Sequence, residues 1–213
     1  MPDNAVTIVA AGAPLREARG VVAMLHGRGA TAEDILSLND ELGQDIAYLA
    51  PQAPGYSWYP HSFLAPLEQN EPFLSRSLAT IAVVLSDLAG RGIAPDRVML
   101  LGFSQGGCLA LEFVGRQARH YGGVAGLSAG LIGPPGLARN YQGSLGGTPV
   151  FIGCSDIDPH VPLDRVHESC QVLAAMNAVV TERIYPGMGH AINQDEVAHV
   201  RTLVDNINRF RSV

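Results

Sequence analysis

Ser104 lies in Leu100-Leu101-Gly102-Phe103-Ser104-Gln105-Gly106-Gly107, an apolar run that gives way to a serine set among glycines. A serine hydroxyl becomes a nucleophile when a base removes its proton, and that base is usually a histidine oriented by a carboxylate. The G-x-S-x-G pattern carries weight where a strand ends and a helix begins, because the serine then occupies a tight turn whose spatial neighbours must lack side chains. Gly102 and Gly106 meet that need, and Gly107 leaves room for helix against strand. The same turn puts the backbone N–H of Gln105 at a helix N-terminus, free to meet an oxyanion. The competing role for Ser104 is an ordinary helix cap among glycines that end a strand.

In proteins with such a turn the serine is followed along the chain by an acid and then by the histidine, each on a loop at the C-terminal end of a strand. Seven histidines are present. His26 and His61 precede the serine, His120 falls just before a strand, and His167 and His199 sit within helical patterns. His190 is left as the base, in Pro186-Gly187-Met188-Gly189-His190, directly after the last strand pattern. For the acid, Asp158 is preferred to Asp156 because Pro159 fixes a rigid turn behind it, which suits a group whose task is orientation. Asp156 is expected to tie the loop together. His160 is the competing base, but two residues from the acid it needs an awkward return of the chain. The second oxyanion donor is expected in Met24-Leu25-His26-Gly27-Arg28-Gly29, with the Arg28 N–H as donor and His26 bracing the loop. The Arg28 side chain has two candidate partners, a substrate carboxylate or an acid such as Glu33, and the second is preferred. The segment Tyr56–Leu64 shows no helix or strand period. Its Trp58, Tyr59 and Phe63, with Met188 beside the histidine, are the expected substrate wall.

These residues need a scaffold that delivers strand ends to one edge. Short Val-, Ile- and Leu-rich runs at 6–11, 20–25, 46–50, 98–102, 121–127, 149–153 and 179–185 read as strands. Most are continuous rather than alternating, as in a sheet covered on both faces. Helical patterns fall between them. Thr31 and Asp34 form a capping signature ahead of Ile35, Leu38 and Leu42, and Leu74, Leu78, Ile81, Leu85 and Leu88 make an amphipathic stripe. Leu109, Phe113 and Val114 continue after Ser104, and another helix runs from Leu163 to Asn177. Asn193 and Glu196 open a last one carrying Val197, Val200, Val204, Ile207 and Phe210. Alternating strands and helices predict a mostly parallel central sheet with helices on both faces, in a single α/β domain over residues 1–213. The first two strands are short-linked and fit an antiparallel hairpin at one edge. About twenty residues between the fifth and sixth strands are too few for a helical cap domain.

Composition narrows the function. A net charge of −6 with scattered basic residues argues against nucleic acid as a partner. No signal peptide and no stretch approaching the ~20 apolar residues of a membrane span are read in the sequence. Cys108, Cys154 and Cys170 lack metal-ligand spacing and fit reduced thiols in a cytoplasmic protein. The chemistry requires no metal and no organic cofactor. A homodimer is compatible with the sequence, which marks no interface for one.

With these residues in place the chain resembles the phospholipase/carboxylesterase family of α/β-hydrolases, which includes the acyl-protein thioesterases. The likeness runs from about Val21 to the C-terminus and rests on Leu25-His26-Gly27-Arg28-Gly29, Ala50-Pro51-Gln52-Ala53, Ser57-Trp58, the Gly102–Gly107 run, Asp156–Pro162 and Gly189-His190. It implies an α/β-hydrolase fold and esterase or thioesterase activity, with Ser104, Asp158 and His190 as triad and Arg28 and Gln105 as oxyanion donors. Arg28 stands where the acyl-protein thioesterases carry an apolar residue, and their acyl-groove loop is not recognisable here. Both departures favour short to medium acyl esters. Two other functions fit the same scaffold less well: a dienelactone-hydrolase-like lactonase, which normally carries a cysteine nucleophile, and a non-catalytic binding protein.

Overall fold

The computed structural model describes residues 6–209. Seven strands form one sheet in the order β1-β3-β2-β4-β5-β6-β7. They are β1 (Ile8–Gly12), β2 (Gly20–Leu25), β3 (Ile46–Pro51), β4 (Val98–Phe103), β5 (Gly123–Leu127), β6 (Pro149–Ser155) and β7 (Val179–Tyr185). All pairings are parallel except β1 with β3. This is the sheet of an α/β-hydrolase, and each strand falls on a run read as one from the sequence.

The interior strands are largely apolar along their length because both faces are covered. Alternate residues of β2 separate cleanly: Ala23 and Leu25 face one core, Val22 and Met24 the other. Helices α1 (Ala32–Leu36), α2 (Asn39–Leu42) and α7 (Gln194–Arg209) cover the second of these faces. Their contributions include Ile35, Leu42, Val197, Val200 and Val204. The first face carries α4 (Phe73–Gly90), α5 (Gln105–Arg116) and α6 (Leu163–Ala175), whose Leu74, Ile81, Leu109, Phe113, Val166 and Leu173 join one cluster. A short α3 (Leu67–Asn70) precedes α4. Phe210, read as part of the last apolar stripe, lies outside the described residues, as do positions 1–5 of the N-terminal stretch read as lacking a signal peptide.

The edge hairpin expected from the sequence does not form. β1 lies against β3, and β2 sits one strand further in, between β3 and β4. The cause is burial. β2 is fully buried along its length and needs a parallel neighbour on each side, whereas β1 alternates exposed and half-buried residues and suits an edge. The link between them crosses the start of β3, where the N–H groups of Ala13 and Arg19 donate to the carbonyls of Ile46 and Asp45. Arg97 fixes the same link by donating to the carbonyls of Ala18 and Arg19.

Thr31 caps α1 with the reciprocal bond to Asp34, as its spacing predicts. The pattern from Ile35 to Leu42, however, breaks into two short helices. Ser37 and Asn39 turn their side chains back onto the carbonyls of Asp34 and Leu36 and so compete with continued helix. Although no membrane span is read in the sequence, α4 has the length and mean hydropathy, 1.4 over 18 residues, of one. It packs Leu74, Ile81, Val84 and Leu88 into the core.

Candidate active site

The turn from β4 into α5 is as tight as its glycines imply. Ser104 has φ 53° and ψ −119°, a region that side-chain-bearing residues rarely occupy. A Cβ at Gly102 would fall 2.4 Å from the Gly106 backbone, and one at Gly106 would fall 2.1 Å from the Leu25 carbonyl oxygen. The serine is therefore presented by a backbone that only glycine at both positions allows. Its own N–H donates to the Leu127 carbonyl at 2.8 Å, which fastens the turn to the end of β5.

Two loops at the same edge of the sheet complete the arrangement. His190 Nε2 lies 2.8 Å from Ser104 Oγ, and His190 Nδ1 lies 2.7 Å from Asp158 Oδ2. Asp158 Oδ1 accepts the N–H groups of His160 and Val161 at 2.8 and 3.1 Å, while the Cys154 thiol approaches Oδ2 at 3.7 Å. Burial alone would raise the Asp158 carboxyl. The hydrogen bonds from His190 and the His160 N–H, attraction to His190 and the Val161 N–H outweigh it and hold the group below its ordinary value. Burial and the Asp158 carboxylate push the Cys154 thiol up to about 12, so it stays protonated and donates.

The histidine loop is held by its neighbour rather than by itself. Asp156 accepts the Gly187 N–H at 2.8 Å, and Ser155 Oγ accepts the Gly189 N–H at 3.0 Å. Asp156 thus ties the acid loop to the histidine loop. His160 packs edge-on against the His190 ring at 4.8 Å and is not the group beside Ser104 Oγ.

Behind the Gly27–Gly29 turn, His26 is fully buried. Its Nδ1 donates to the Gly27 carbonyl and its Nε2 accepts the Ala53 N–H, which defines a neutral ring. Burial lowers its pKa, against the pull of the Gly27 carbonyl. Trp58 Nε1 donates to the His26 carbonyl, so the indole packs beneath this turn.

A cavity of about 460 Å³ opens over Ser104 and is lined by Arg28, Tyr59, Phe63, Phe103, Val161 and His190 among others. Of the four residues read as a substrate wall, Tyr59 and Phe63 line this cavity. Trp58 and Met188 do not line it. Trp58 is drawn inward by its bond to His26, and Met188 turns its sulfur toward the Asn193 amide at 2.9 Å. The Arg28 guanidinium does not pair with Glu33 either. It donates to the carbonyls of Pro60 and His61 at 2.7 and 2.6 Å.

The sequence reading also missed the Gln105 side chain. Its Oε1 accepts the Trp58 N–H at 2.9 Å and its Nε2 donates to the Tyr59 carbonyl at 2.7 Å, which locks the cavity wall to the Ser104 turn. Cys108 lines the cavity too, but burial pushes its thiol up to about 12, far from the thiolate a nucleophile requires.

Glu196 shows a different use of a buried carboxyl. It completes the cap of α7, accepting the Asn193 N–H through Oε2 while its own N–H donates to Asn193 Oδ1. Oε1 is buried against Gly153 and has no partner among the described residues. Burial raises this carboxyl from 4.5 to about 7, against the pull of the Asn193 N–H. A pKa raised on folding means that the native state holds the proton more tightly. The associated stability is complete below the unfolded value and is lost as pH rises through 7. The shift corresponds to about 3 kcal/mol. Urea denaturation of wild type and Glu196→Gln at pH 5 and pH 8 should show wild type losing about that much more stability than the variant. Parallel pH dependence in the two proteins would rule this out.

A family model described as phospholipase/carboxylesterase matches residues 6–208. The putative esterase NocK of Nocardia uniformis subsp. tsuyamanensis is 33% identical over 162 residues, 72% of this chain but 44% of that protein. Acyl-protein thioesterase 1 of Saccharomyces cerevisiae is 25% identical over 222 residues, covering 90% of this chain and 94% of its own. The chain thus spans under half of the first relative and nearly all of the second. A crystal structure of a phospholipase/carboxylesterase from Dyadobacter fermentans superposes with a TM-score of 0.90 at 44% identity, over 96% of this chain and 98% of that one. The parallel sheet, the tight Ser104 turn and a family match over residues 6–208 thus coincide, and the chain belongs to the phospholipase/carboxylesterase family of α/β-hydrolases.

Proposed function

We propose that this protein is a serine hydrolase of carboxylic esters or thioesters that works through an acyl-enzyme. The observation that carries the reading is the continuous line from Ser104 Oγ to His190 Nε2 and from His190 Nδ1 to Asp158 Oδ2, at 2.8 and 2.7 Å, beneath an open cavity. Asp158 accepts a hydrogen bond from His190 Nδ1–H, which keeps the proton on Nδ1 and leaves Nε2 as the acceptor facing the serine. His190 takes the Ser104 proton as Oγ attacks the carbonyl carbon, then returns it to the departing alcohol or thiol. Water enters and attacks the acyl carbon, His190 takes a proton from it and returns that proton to Ser104 Oγ as the acyl–Oγ bond breaks, and the acyl group leaves as a carboxylic acid that ionises.

The tetrahedral oxyanion formed in each step is assigned to the backbone N–H groups of Gln105 and Arg28. Gln105 is the first residue of α5, where N–H groups lack acceptors within the helix. Arg28 follows a turn braced by His26 and by the Gly29 N–H bond to the Tyr56 carbonyl. Preorganised donors of this kind are each worth about 10²–10³ in rate. The reduced, buried thiols suit a cytoplasmic location.

The connection at 128–148 carries no helix among the described residues, so no cap roofs the cavity. Buried charges hold it down instead: Arg165 donates to the carbonyls of Leu131 and Gly133, and Arg139 to that of Ile132. A cavity of about 460 Å³ favours short to medium acyl groups. Initial rates on 4-nitrophenyl esters from acetate to palmitate should peak at or below about ten acyl carbons. Rates that keep rising beyond that length would contradict the assignment, and the absence of hydrolysis of any ester by folded protein would overturn the function itself.

A further inference from the structure

We propose that Arg28 makes this site selective for esters that carry a carboxylate, of the kind formed by esterifying one end of a short dicarboxylic acid. The proposal rests on the esterase reading and narrows its substrate. The chain has a net charge of −6, yet no aspartate or glutamate is among the residues lining the cavity over Ser104. Arg28, His61, His160 and His190 are there instead. Asp158, the acid behind His190, has no exposed side-chain surface. Its oxygens are turned to His190, Cys154 and two backbone N–H groups, so its charge is spent behind the histidine.

The guanidinium of Arg28 is fixed but not neutralised. Two of its N–H groups donate to the carbonyls of Pro60 and His61, and it lies 6.0 Å from the centre of the Tyr59 ring. Carbonyl dipoles and an aromatic face hold a cation in place without cancelling its charge. The remaining donors of the fork are left for a planar anion, and a carboxylate matches that geometry. Hydrolysis is chemically unchanged. Ser104 gains the acyl group, the alcohol leaves with the proton from His190, and water releases the dicarboxylate.

Because Arg28 is exposed, solvent screens the pair and the effect is moderate. The probes are monomethyl esters of succinic, glutaric and adipic acid, each compared with its neutral dimethyl ester by pH-stat titration at one pH. Wild type should prefer the best of the monoanions. Arg28→Gln should lower the ratio of anionic to neutral kcat/KM about fivefold, chiefly through KM, and Arg28→Lys should restore part of it. Should Arg28→Gln fail to fold, the wild-type ratio still decides, since it must fall as sodium chloride is raised. A ratio unmoved by both salt and substitution would overturn the selectivity while leaving the esterase intact. No hydrolysis of either ester series would overturn both.

Discussion

Ser104→Ala will bring hydrolysis of 4-nitrophenyl acetate down by at least about 10⁴-fold in kcat, with the fold unchanged. The reason is local. Among the described residues Ser104 Oγ hydrogen-bonds to His190 Nε2 alone, so its removal takes away the proposed nucleophile and leaves the supports of both loops in place. Ser104→Gly should be equally inactive and measurably more stable. Its φ of 53° and ψ of −119° cost a side-chain-bearing residue about 1–3 kcal/mol and cost glycine little. A thermal melt should therefore rise by several degrees in the glycine variant but not in the alanine variant. A fluorophosphonate should label wild type alone. Residual activity within a hundredfold of wild type in Ser104→Ala would remove the serine from its assigned role.

How far the sequence reached can be judged from which contacts are short-range. The β4–α5 turn, the Thr31 and Asn193 caps and the strand runs are written in neighbouring residues, and each was read where it lies. The separation of His190 and Asp158 from Ser104 is long, but chain order and loop position substitute for distance, so the three could be brought together on paper. Contacts set only by packing were not legible. Trp58 looks like a substrate wall in a run of aromatics, and only the His26 carbonyl tells that its indole turns inward. Arg28 looks like a partner for Glu33 five residues on, and only the folded course of residues 60–61 supplies better acceptors. The Gln105 side chain reaches residues 46 and 47 positions away, which no local pattern encodes. For β1 no such signal exists: Ile8-Val9-Ala10-Ala11-Gly12 is as apolar as β2, and only the folded chain leaves it alternately exposed and half-buried at an edge while β2 is buried throughout.

The second large effect is expected from Asp158→Asn, and the surroundings of the carboxylate say why so small a change matters. Asp158 is met by donors on both sides, the backbone N–H groups of His160 and Val161 at Oδ1 and the His190 Nδ1–H and Cys154 S–H at Oδ2. An asparagine has one accepting oxygen and one donating nitrogen. The two backbone N–H groups cannot turn away, so they claim the oxygen and leave the NH₂ facing His190 Nδ1. Imidazole must then accept at Nδ1 and carry its proton on Nε2, the tautomer that presents a hydrogen to Ser104 Oγ and cannot take one. The expected result is a loss of about 10⁴-fold in kcat with little change in KM or stability. Nitrogen chemical shifts of the His190 ring should report the exchanged tautomer directly. If the variant keeps more than a tenth of wild-type kcat, or if Nδ1 still carries the proton, then Asp158 does no more than pack beside the histidine.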